Sequence, residues 1–308
     1  MNRQTDNESI KEKVREVLVF FDMFDYPLKI EEIYEFLGKN DSMERVEEIL
    51  AEETGIDLKN GLYFLKGRDE VVDISNKRLK ILKKYWQKTR RIVPYLKMVP
   101  FLKMVAVCNT VAFNSPDEKS DIDLFIVTKP NRIFIARSIS TLIMQFFGVR
   151  RYADKISERF CLSFYVTEEA LDMDKIRIKP DDIYLKYWIA TLKPVLDSGV
   201  YDRLIDENRW IGSSKGFKKK RLQFIDQKED VLTAMGLIGE RLFGGRVGDF
   251  LEKRLEKTHM RRYEKKKRYL GEKSDVIVCR TMLKFHNIDR REEFNRRYKE
   301  KRRKLGWN

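Results

Sequence analysis

The stretch from residue 103 to 128 limits the possible folds of this chain more than any other. Two apolar runs, Lys103-Met104-Val105-Ala106-Val107 and Leu124-Phe125-Ile126-Val127-Thr128, flank a polar loop that ends in Asp121-Ile122-Asp123. Short apolar runs bounded by turn residues read as buried strands. Two aspartates separated by one apolar residue at a strand start point to the same side of that strand. Their carboxylates can then converge on a divalent cation, which takes oxygen ligands and binds phosphates. An amphipathic helix over residues 132–147, closed by Gly148, and a third apolar strand over residues 160–166 follow. Strand, loop, strand, helix, strand describes an α/β core with a small mixed sheet, so the expected class is α+β, with mixed α/β character.

The same segment resembles the polymerase-β-like nucleotidyltransferase superfamily, whose signature is Gly-Ser, about ten residues, then Asp-x-Asp. Asn109-Thr110 takes the Gly-Ser place and Asp121-Ile122-Asp123 completes the pattern. Glycine at the first position allows close backbone approach to phosphates; asparagine is the best substitute where φ must be positive, and threonine keeps the hydroxyl. Ser120 beside Asp121 fits the common Ser-Asp-x-Asp form. The resemblance implies that Asp121 and Asp123 are catalytic and hold Mg²⁺ or Mn²⁺. It also implies that Asn109, Thr110 and Ser120 contact an NTP substrate; Lys129, after the second strand, is a further candidate to reach the triphosphate, the alternative being a solvated side chain. Two metals would activate the attacking oxygen and stabilise the leaving pyrophosphate. Active members place a third carboxylate on a later strand. Here the strand over residues 160–166 carries no acid: Cys161 and Ser163 stand where one is expected, and Asp154, Glu158 and Glu168 only flank it. More loosely, the whole layout resembles uncharacterised prokaryotic proteins with a winged-helix head before such a domain.

That head is read from residues 1–74. Helical spacing predicts a helix over residues 9–23 with Ser9 as N-cap, a second over residues 29–37 closed by Gly38, and a third to about Glu53 capped by Asp41 or Ser42. Two short strands around Asn60-Gly61 complete a winged-helix-like order. The third helix, which would read a DNA groove, carries five glutamates and one arginine, a face that repels phosphate. Packing or docking of a protein partner at this acidic domain is therefore the better expectation. Residues 75–98 are expected to form a basic connecting helix, 99–180 the nucleotidyltransferase core, and 181–308 a basic helical region with a linker at residues 212–216. Helices are expected at residues 182–192, 200–210 and 232–269, the last interrupted at Gly244-Gly245, and along the tail.

Charge rises along the chain. Residues 1–75 hold 10 Lys/Arg against 19 Asp/Glu, whereas residues 212–308 hold 29 against 14. An excess of this size attracts RNA or another polyanion, and interleaved aromatics such as Phe217, Phe224, Tyr263, Tyr269, Phe285, Phe294, Tyr298 and Trp307 would allow base stacking or, equally, helix packing. Three scattered cysteines and two histidines exclude a disulfide framework, a close-spaced zinc site and a histidine-based triad. No window reaches the roughly 18 apolar residues of a membrane span, and residues 1–13 lack a signal-peptide core, so no membrane partner and a cytoplasmic location are expected. Two functions remain open. One is an enzyme moving a nucleoside monophosphate from an NTP to an RNA end, a protein or a small molecule. The other is a catalytically degenerate relative acting as a nucleotide- or nucleic-acid-binding regulator.

Overall fold

The first helix of the chain, α1 (Arg3–Asp22), begins six residues ahead of Ser9, which lies inside it rather than at its cap. The polar residues before Ser9 carry no apolar marker, so their helical state leaves no period to read. The computed structural model describes residues 3–38, 42–152, 154–212, 230–270, 276–285 and 289–307. Helix α2 (Ile30–Phe36) is followed by Gly38 at φ 84°, and Ser42 caps α3 (Met43–Glu52), accepting a hydrogen bond from the Arg45 N–H at 3.2 Å. Strands β1 (Ile56–Lys59) and β2 (Leu62–Leu65) pair antiparallel around Asn60 and Gly61, at φ 55° and 75°. Left-handed backbone at both central residues is what a two-residue hairpin of right-handed twist requires. The expected order of three helices and a hairpin is thus present, and Glu44, Glu47, Glu48 and Glu52 of α3 face solvent.

Helix α4 (Glu70–Ile92) and a 3₁₀ turn (Val93–Met98) lead into a six-stranded sheet. Its strands are β3 (Leu102–Cys108), β4 (Ile122–Thr128), β5 (Phe160–Thr167), β6 (Lys193–Asp197), β7 (Ile277–Val278) and β8 (Met282–Lys284). They lie in the order β6-β3-β4-β5-β8-β7, and only β4 and β5 run parallel. A parallel neighbour needs a crossover, which α6 (Ile133–Phe146) supplies after the one-turn helix α5 (Asn109–Ala112) in the β3–β4 loop. The molecule is therefore mixed α+β, as expected. The region from 181 onward differs from its expected all-helical character, because it gives the sheet β6, β7 and β8.

Alternation along β3 and β4 sorts the core into two layers. Val105, Val107, Leu124 and Ile126 pack with Tyr85 of α4 and Phe134 of α6. Met104, Ala106, Phe125 and Val127 pack on the other face with Trp188 of α7 (Ile183–Ala190) and Tyr201 of α8 (Val200–Glu207). Asp182, expected at the start of α7, caps it by accepting from the Leu185 N–H at 2.9 Å. Helices α9 (Val231–Phe243) and α10 (Arg246–Leu270) are separated at Gly244-Gly245, as expected. Residues 213–229, which include most of the expected linker, lie outside the described residues, as does His286. Among the described residues no helix is long and apolar enough to cross a membrane.

The head is not a separate body. Helix α11 (Arg291–Lys304) lies against α1, with Lys301 paired to Asp22 and Arg302 to Glu12, while Lys186 and the Tyr187 hydroxyl of α7 both reach Glu16, at 2.6 and 2.8 Å. Part of the acidic surface expected to dock a partner is thus matched by the chain's own basic end. Tyr298 and Trp307 are buried in that junction, so these two aromatics serve packing rather than base stacking.

One half-buried histidine contributes a pH dependence to the fold. His259 of α10 sits 5.6 Å from the Phe134 ring. Burial, then the charges of Arg137 and Arg262, push its pKa from 6.5 down to about 4. The unfolded chain therefore binds a proton that the folded one refuses between these values, and stability falls as pH drops from 6.5 towards 4. The raised carboxylate of Asp121 acts in the opposite sense over the same window, so the test is differential: on going from pH 6.5 to 4 the urea midpoint of the natural chain should fall relative to that of His259→Gln.

Candidate functional site

The site is built where β3 ends and β4 begins. After Cys108 the chain turns through Asn109, whose φ of 57° is the positive value that the Gly-to-Asn replacement suggested. Its side-chain amide donates to Asp123 Oδ2 at 2.8 Å, and its oxygen accepts from the Tyr184 hydroxyl of α7 at 3.0 Å. The loop back to β4 is held by Tyr85 of α4, which donates to the carbonyls of Asp117 and Ser120 at 3.1 and 2.9 Å. Ser120 Oγ in turn donates to Asp117 Oδ1 at 2.8 Å. The basic connecting helix thus contributes a tyrosine anchor to the site.

Asp121 and Asp123 lie on the same side, as their spacing predicts. The register of the parallel pair sets Asp123 opposite Cys161 of β5. Carboxylate oxygens of both aspartates and the Cys161 sulfur all lie within 4.8 Å of one another. Arg151, from the loop before β5, donates to Asp121 Oδ2 at 2.6 Å and approaches Cys161 Sγ at 3.8 Å. Burial and the neighbouring Asp123 charge lift the Asp121 pKa from 3.8 to about 6, against the pull of Arg151. Burial also raises Asp123, an effect that the Asn109 amide opposes. Two confined carboxylates repel each other, and a divalent cation between them would relieve that repulsion. The donor set fits such an ion: two oxygens and a sulfur on one face, beside open space.

That space is a cleft of about 320 Å³ lined by Asn109, Thr110, Ser120, Asp121 and Asp123 on one wall. Much of the remaining lining is aromatic and basic. Tyr184 and Phe294 stack with ring centroids 4.7 Å apart, and Trp188, Lys284, Arg290 and Arg291 belong to the same lining. Asp289 also lines the cleft, but it is bound to Arg291, and the charges of Arg291 and Lys284 help hold its pKa down at about 2. These residues come from α7, β8 and α11, up to about 170 positions from Asp121, and no local pattern ties them to the motif. Arg290-Arg291 was visible only as part of the basic tail, and Tyr184 only as part of a packing helix.

Lys129 does not belong to this site. It follows the far end of β4, six residues from Asp123 and thus about 20 Å along the strand, and pairs with Glu240 of α9 at 2.6 Å. Arg132 likewise holds the carbonyls of Phe243 and Gly244, at 3.1 and 3.0 Å. Of the acids flanking β5, Glu158 pairs with Lys84 and Glu168 with Arg203. Among the described residues the group around Asp121 and Asp123 gains Cys161 and no third carboxylate. Compared with protein-family models, curated proteins and solved structures, the chain gives no match.

Proposed function

We propose that this chain is a metal-dependent nucleotidyltransferase of the polymerase-β-like type, moving a nucleoside monophosphate from an NTP to an acceptor. The observation that carries the reading is the convergence of Asp121 and Asp123 beside the left-handed Asn109 turn, at the mouth of a cleft with aromatic and basic lining residues. In this reading Asp121 and Asp123 hold Mg²⁺ or Mn²⁺, which supplies charge stabilisation to the transferring phosphoryl group. Asn109, Thr110 and Ser120 bound the phosphate end of the cleft, and Tyr184 and Phe294 offer a flat surface to a base. An acceptor oxygen attacks the α-phosphorus, the bond to the β-phosphate oxygen breaks, pyrophosphate leaves, and the acceptor's proton passes to solvent.

The acceptor is an RNA end, a protein side chain or a small molecule. Exposed Arg296, Lys299 and Arg303 on α11 favour a polyanion. Cys161 in the place of a third carboxylate favours a second reading, in which the chain binds nucleotide or nucleic acid without transferring it.

Transfer of α-labelled phosphate from each of the four NTPs to cellular RNA or protein, with Mg²⁺ or Mn²⁺, separates the two. Incorporation that disappears in the Asp121→Asn/Asp123→Asn double variant supports the enzyme. Nucleotide binding with no incorporation supports the regulator.

A further inference from the structure

We propose that Cys161 is the third ligand of this site, a thiolate beside the carboxylates of Asp121 and Asp123. The site would then take a borderline-soft divalent cation of the Zn²⁺ or Co²⁺ class in preference to Mg²⁺. The inference rests on the reading of Asp121 and Asp123 as metal ligands and replaces the Mg²⁺ or Mn²⁺ of that reading with a softer ion.

Three observations carry it. The first is placement. Asp123 and Cys161 are register partners on the parallel β4–β5 pair, and the register slips immediately afterwards, with Phe125 opposite Phe164. One extra residue on β5 at that point is a bulge, a device that re-aims a side chain beside a site. The second is reach. Zn–S bonds of about 2.3 Å and Zn–O bonds of about 2.1 Å at a tetrahedral angle put donor atoms about 3.6 Å apart. The three donors already lie within 4.8 Å, so side-chain rotation of about 1 Å closes the shell. The third is the cation already seated there. The Arg151 guanidinium spans Asp121 and Cys161, the two donors that an ion would share. A positive charge therefore fits between the oxygen and the sulfur, and an entering ion exchanges with Arg151.

Ligand chemistry then sets selectivity. Mg²⁺ demands an octahedral oxygen shell and gains little from sulfur, whereas a thiolate favours Zn²⁺ and its neighbours. On binding, the metal–sulfur bond forms and the thiol proton leaves to solvent. Three protein ligands leave one position open towards the cleft, the pattern of a zinc site that does chemistry rather than one that only braces a fold. The other cysteines are placed differently: Cys279 is exposed, and Cys108, although it also stands opposite Asp123 across the β3–β4 pair, lies outside the group of donor atoms within 4.8 Å of one another.

Co²⁺ titration of the full chain tests this, read by near-ultraviolet thiolate-to-cobalt charge-transfer absorption and by calorimetry. The natural chain should show the band. Cys161→Ser should lose it and weaken Co²⁺ binding by more than the about 100-fold that marks the upper end for an outer partner. Cys279→Ser should keep it. Cys161→Asp should lose the band and shift preference towards Mn²⁺ and Mg²⁺. Co²⁺ bound without the band, or a band that survives in Cys161→Ser, would overturn the thiolate ligand. In that case Mn²⁺ binding that vanishes in Asp121→Asn/Asp123→Asn leaves the two-aspartate reading standing. No binding of Co²⁺ or Mn²⁺ at all removes both.

Discussion

If the chain transfers nucleotides as proposed, Asp123→Asn is expected to lower that transfer by about 10²- to 10³-fold and, at the same time, to make the protein more stable. The loss follows from the position of Asp123, buried on β4 between Asn109 and Cys161 and facing the cleft beside Asp121. An amide there cannot neutralise a cation, and charge stabilisation of the transferring group weakens accordingly. The gain follows from burial. Burial raises the pKa of the carboxylate, which means that its charged form opposes folding. An asparagine keeps the acceptor that the Asn109 amide needs, and its own NH₂ faces Asp121 instead of a second negative charge. A gain of about 1 kcal/mol, or roughly 2–4 °C in Tm for a chain of this size class, should appear in metal-free buffer. Calorimetric scans and the label-transfer assay on the same preparation check both halves. Lost transfer with a lower Tm would instead make Asp123 a structural residue.

This trade also explains which parts of the site could be read in the sequence. Local chemistry was legible. Two aspartates at a strand start must share a side, asparagine tolerates the left-handed turn at 109, and Asn60-Gly61 sets a hairpin whose register runs from Ile56 to Leu65. What escaped depends on distant partners. Strands β7 and β8 have two and three residues, too short for any alternation, and exist because β5 offers an unpaired edge. The five residues of β6 include Pro194, which argues against a central strand and is tolerated at the sheet edge that β6 occupies. Lys129 looked close to the motif in sequence, but a strand carries its two ends apart, and Glu240 claims it. Arg151 stands in sequence beside Arg150 and near Lys155 with nothing to single it out; only the fold shows that it grips Asp121.

Phe20→Ala should cost about 3–5 kcal/mol and should lower a single unfolding transition rather than split it in two. Phe20 is fully buried in α1, stacked on Tyr187 with centroids 4.2 Å apart and edge-on to Phe113 at 5.6 Å. Tyr187 belongs to α7 and Phe113 to the loop between β3 and β4, so the ring ties the head to the elements that carry the site. A loss of this size is a large share of the 5–15 kcal/mol that holds an ordinary domain together. Trp307 packs on the head, so the comparison is made in a Trp307→Phe background, where the remaining Trp86, Trp188 and Trp210 lie outside the three-helix head and its hairpin while far-ultraviolet dichroism reports on both parts. In the joined arrangement, urea curves from fluorescence and from dichroism should coincide in that background and shift together when Phe20→Ala is added. The exposed Leu58→Ala on β1 should leave both curves in place. A dichroism curve that moves while tryptophan fluorescence stays would make the head an independent unit. It would also free the Glu12 and Asp22 side chains now held by α11 to meet another molecule, beside the already exposed acidic face of α3.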